Sequence, residues 1–206
     1  MKTIEMGRLL RSSTTGCVVG CRVTQMTSPA FGGMVRIPLE TNPLNQIFGL
    51  IYDIHIDDDG LVRQLVTAEQ VDEGIIQDNR LNRNVPVEIS VLFIGHQLGE
   101  KIFHLLPPRP PLTLDKIFTC SSAEIVKFTG AGRLGYFRHI LNNPEIPLGE
   151  LIAAHFQQVS AEHIAAGSPD WVTQASKELI TLLRDDYSNL MRVLGALADT
   201  NIQMPL

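Results

Sequence analysis

Near residue 130 the chain changes rhythm, and the change separates two kinds of architecture. On its N-terminal side, short runs rich in Val, Ile and Phe are separated by Gly, Pro and Asn, the spacing of successive β-strands and tight connections. Residues 15–26 (TGCVVGCRVTQM), 34–39, 46–56, 61–67, 85–95 (VPVEISVLFIG) and 101–106 read as strands of this kind. Residues 68–83 leave room for one short helix. PPRPP, residues 107–111, has few backbone donors and reads as a stiff extended connector.

Beyond residue 130 the period becomes helical. Leu148, Leu151, Ile152, His155, Phe156, Val159 and His163 recur at spacings of three and four, which gives one apolar-leaning face. Gly167 ends that helix and Ser168–Pro169 opens the next. Residues 171–198 then read as one long helix, folding back on the first as an antiparallel hairpin. The expected fold class is α+β: a small closed antiparallel β-barrel of about six strands in residues 1–130, then a C-terminal helical hairpin in residues 131–206.

With 206 residues, 44% of them hydrophobic, the chain is long enough for one sizeable domain or a medium domain with an appendage. A net charge of -5 gives no global attraction to a phosphate backbone, so nucleic acid is expected as an indirect partner only. Glu5 interrupts the N-terminal segment and no run approaches eighteen apolar residues, so the expectation is a cytoplasmic protein without membrane contact. Cys17, Cys21 and Cys120 are an odd set with no two-residue gap, so they are expected as reduced thiols.

The densest chemistry lies in IYDIHIDDDGLV, residues 51–62. On a strand, alternation puts Asp53, His55 and Asp57 on one face and Tyr52, Ile54 and Ile56 on the other. The first three are the metal-ligand candidates, and they support an alternative reading as a metal-dependent enzyme. Against it, DDDG suits a tight turn between two antiparallel strands. An EF-hand fails on register, since His55 would be its first ligand and Val66 its final glutamate. The expectation is a strand end followed by a turn, with no metal.

Other motifs fall short of a site. Gly130, Gly132 and Gly135 match G-x-G-x-x-G after the apolar run 125–128, but NNPEIP at 142–147 breaks the chain where a second parallel strand and a distant acid are needed. No phosphate-loop motif occurs, and no serine lies in a G-x-S-x-G context. Cys17 and Cys21, four apart on a strand, share a face and suit a barrel core. His155 and His163 project from one side of their helix, too far apart to share an ion. With Trp171 and Tyr187, they are the interaction candidates of the helical half. Arg80, Arg83 and Arg109, expected on loops, support a third reading as an OB-like binder of single-stranded nucleic acid. No catalytic residue and no cofactor is expected.

The order TGCVVGCRV, FGGMVRIPLE, QIFGLIYDIHID resembles the HAS-barrel, the small N-terminal β-barrel of HerA-type DNA-translocating ATPases and ATP-synthase catalytic subunits. The resemblance rests on a glycine-opened first strand, a polar turn after the second, and Gly49, Leu50, Ile51, Asp53 and Ile54 in the third. PPRPPLTLDKIFTCSSAEIVKF is similar to the proline-led exit of HerA-type barrels, with Ile117, Phe118, Glu124 and Ile125 as its apolar strand and acidic pair. It covers roughly residues 15–130 and stops where the ATPase core would begin. The resemblance implies the barrel's role without the catalysis: joining like barrels into an oligomer, or docking to a HerA-like ATPase or another protein partner.

Overall fold

The computed structural model describes residues 3–22, 30–39, 44–57, 60–82, 86–200 and 202, the side chains of Leu61, Arg80 and Leu81 excepted. The strands among these residues are β1 (Glu5–Ser12), β2 (Gly16–Cys21), β3 (Met34–Pro38), β4 (Gln46–His55), β5 (Val87–Leu98), β6 (Lys101–Phe103) and β7 (Lys116–Thr119). Two helices, α1 (Leu61–Thr67) and α2 (Glu73–Leu81), stand between β4 and β5. After β7 come α3 (Ser122–Thr129), α4 (Phe137–Leu141), α5 (Leu148–Ala165), α6 (Trp171–Leu183) and α7 (Tyr187–Ala198).

The strands follow the order β2-β1-β7-β3-β4-β5, and β5 pairs again with β2, which closes a six-stranded antiparallel barrel. β6 extends the sheet from β5. Closure leaves the six ladder strands without a free edge, as the expected fold class requires. Alternation fills the inside: Val19, Ile37, Ile47, Val87, Ile89, Val91, Phe93 and Ile117 form one buried cluster with Met6, Leu9, Cys17 and Cys21. Gly49 faces Val91 so closely that a Cβ there would lie 2.4 Å from its Cγ1, so this position of β4 accepts no side chain without displacing the ladder.

A second apolar cluster lies outside the barrel. Met34, Phe48, Leu50, Leu92 and Ile94 point away from the interior, yet they are buried with Phe128, Tyr136, Phe137, Leu151, Ile152 and Phe156 of the helical layer. β4 and β5 are therefore apolar on both faces, which is why they read as nearly continuous hydrophobic runs. Arg36 Nε and Glu124 Oε1, 2.8 Å apart, tie β3 to α3. α3 itself begins at a capping box formed by Ser121 and Glu124.

Three features depart from the sequence reading. Residues 61–67 form helix α1 rather than a strand: both edges of β4 are taken by β3 and β5, and Val62, Leu65 and Val66 have helical spacing. The expected helix 171–198 is two helices, broken at 184–186, because Asp186 caps α7 by accepting from the Asn189 N–H. α5 consequently packs chiefly against α7. Strand β1 also enters the barrel between β2 and β7, although residues 5–12 carry no clean alternation.

Candidate functional site

Asp53, His55 and Asp57 lie at the end of β4 and beyond it, where the ladder has just passed a bulge between Ile51 and Asp53. All three are exposed. His55 Nε2 and Asp57 Oδ1 are 3.0 Å apart, and both side chains are more than half accessible. Among the described residues no group of three His, Cys, Asp or Glu could hold a metal ion. Asp58 and Asp59 lie outside the described residues. The tight β-turn into a further strand is replaced by Gly60, with φ of +83°, leading directly into α1.

The structure moves three of the four interaction candidates from the surface to the interior. His155, His163 and Trp171 are buried, and only Tyr187 stands exposed. His155 Nε2 meets the Tyr136 hydroxyl at 3.0 Å. Burial without a charged partner pushes His155 down to about 4. His163 stacks on Trp171 with ring centroids 5.1 Å apart. Its Nε2 lies 2.8 Å from Thr129 Oγ1, which donates its one proton to the Ile125 carbonyl. His163 must therefore donate through Nε2, and its buried Nδ1 has no hydrogen-bond partner. The Trp171 indole donates to the Thr129 carbonyl at 3.2 Å. These residues join α5, α3 and α6 from within, because the α5 stripe is wide enough to be covered on several sides.

The α5 stripe is also fixed to the barrel. Gly32, at φ +78°, carries the loop before β3 so close to α5 that a Cβ would lie 2.7 Å from the Ala154 Cβ. Gln158 Nε2 donates to the Phe31 carbonyl at 3.0 Å alongside it.

The thiols are interior groups. Burial pushes Cys17 up to about 12 and raises Cys21 and Cys120, so none supplies a thiolate near neutral pH. Gly130, Gly132 and Gly135 follow helix α3, not a strand, and lead into a helix of five residues, α4. A dinucleotide-binding unit therefore does not form there. Arg80 belongs to α2 rather than a loop, and its side chain, like all of Arg83, lies outside the described residues; Arg109 is exposed in the PPRPP segment. That segment joins β6 to β7 and is tied to β1 through Ser12 Oγ, which donates to the Pro111 carbonyl.

One surface escaped the sequence reading. α1 and α2 pack mainly against each other, and none of their described side chains is buried. Ile56, Val66 and Ile75 are 52%, 78% and 51% exposed. The helical spacing of Val62, Leu65 and Val66 and the run of acids from Asp57 to Asp78 were the signals available. Among the described residues no helix is long and apolar enough to cross a membrane. A scan against protein-family models finds no match, and no curated protein matches the chain in sequence.

Proposed function

We propose that this chain is a non-enzymatic assembly module of the cytoplasm, a HAS-barrel-like unit that joins copies of itself or docks onto a HerA-like ATPase or another protein partner. The observation that carries the reading is a closed six-stranded antiparallel barrel with one flank built into a helical layer and the other left open. The open flank is rich in large apolar side chains: Leu10, Leu112 and Leu114 are 40%, 71% and 66% exposed. Surfaces of this kind mark protein contacts. Nucleic acid enters this reading only through the partner, since the chain's net charge is -5.

Light scattering on the full chain at several concentrations, alone and mixed with a HerA-type ATPase, tests the reading. The expected result is a fixed multiple of 22.8 kDa, or co-elution with the ATPase. A 22.8 kDa species at every concentration that also ignores the ATPase would overturn it. So would hydrolysis of a nucleotide or ester that a single substitution abolishes.

A further inference from the structure

Strands β4 and β5 are antiparallel neighbours with His55 opposite Glu88 at their ends, so a two-residue turn would suffice to join them. The chain inserts residues 56–86 instead. α1 has seven residues and α2 nine, shorter than the roughly 12–15 at which isolated helices become marginal in water. None of their described side chains is fully buried, Val62, Leu65 and Ile76 being half-buried. The insertion also concentrates charge: residues 56–86 hold seven acids and three bases, and so account for most of the chain's net charge of -5.

The wall formed by β1 and β2 has the opposite sign. Arg8 and Arg11 stand exposed on β1, Arg22 just after β2 and Lys116 on neighbouring β7. The acids among them are Glu5, paired with Lys116 at 2.9 Å, Glu88, paired with Arg11 at 3.0 Å, and Asp115, whose carboxylate accepts from the Leu112 N–H, so four cations face three acids. Leu10 lies over Gly20 in the middle of this wall, 40% exposed.

We propose that the α1–α2 excursion of one copy docks on the β1–β2 wall of a second copy, its Val66 and Ile75 against Leu10 and its acids against Arg8 and Arg11. The inference rests on the assembly reading and deepens it by naming the contact. Because the two surfaces are different parts of one chain, the contact is head-to-tail and generates a closed ring or a filament. Complementary charge steers such a contact and weakens with salt.

The test is light scattering on four proteins: the wild type, Glu69→Lys/Glu73→Lys, Arg8→Glu/Arg11→Glu, and a chain with residues 57–86 replaced by Asn-Gly, which keeps the His55–Glu88 register. Melting curves establish that each variant is folded. The expected results are a wild-type oligomer whose dissociation constant rises at least about tenfold in 1 M NaCl, monomers for each variant alone, and restored assembly when the two charge-reversed chains are mixed. A wild-type oligomer untouched by either reversal or by the excision would overturn this contact and leave self-assembly standing. A wild-type monomer that binds a HerA-type ATPase would overturn the second-copy occupant and leave docking standing. A monomer that binds no ATPase would overturn both readings.

Discussion

His155 and His163 are the residues at which the interior is most sensitive to solution conditions. Their common face was legible from the eight-residue spacing, whereas their burial was not, because histidine is intermediate between buried and exposed residue types and an apolar stripe serves a core or a partner alike. An unfolded histidine takes a proton at its ordinary value of 6.5, but folded His155 refuses it down to about 4. Between those values the unfolded state binds more protons, so stability is complete above pH 6.5 and is lost as pH falls towards 4. The contribution is about 3 kcal/mol for His155. Urea unfolding from pH 7.5 to pH 4 checks this: His155→Gln should flatten the slope, and a slope identical to the wild type would mean the ring is not held neutral.

Among the elements, α3 carries the most explicit sequence signal, Ser121-x-x-Glu124 before an apolar run, and the structure forms that box in full. Ser121→Ala should cost about 1 kcal/mol in urea unfolding. Glu124→Ala should cost more, since it also strands the Arg36 guanidinium against Phe118. Equal losses for the two would remove the ion pair from the account. β5 was legible for a similar reason: twelve residues, Val, Ile and Phe in alternation, and Gly95 near its end. β1 was not, because register shifts between Glu5 and Gly7 and between Leu9 and Arg11 break its alternation twice. α1 was misread because Val and Leu suit either state in seven residues, and only the occupied neighbours of β4 decide between them.

At the scale of the whole molecule, barrel and helices share a core. The change of rhythm near residue 130 marks the end of α3, but the cluster containing Phe48, Leu50, Leu92 and Ile94 continues into α4, α5 and α6. A chain cut after Gly130 would expose those side chains, so we expect it to bind an apolar dye and aggregate at concentrations where the full chain stays clear. A soluble, dye-silent fragment with a cooperative melt would show that the barrel flank tolerates water. The closed barrel was legible from the number and spacing of the runs, but its strand order was not, since β7 enters between β1 and β3 through pairings such as Glu5 with Phe118 and Val35 with Thr119, far apart in the chain.

That position of β7 has a consequence on the ribosome. At about 5–20 residues per second, the ladder partner of β1 emerges about 5–20 s after β1 itself. Until then a nascent chain holds β1 and β3 with one unsatisfied edge each, however well β2, β4 and β5 have paired. Messages broken before codon 116 would yield only sticky, chaperone-bound fragments, and only Cys120 and Ser121 separate the last strand of the barrel from the first helix that follows it.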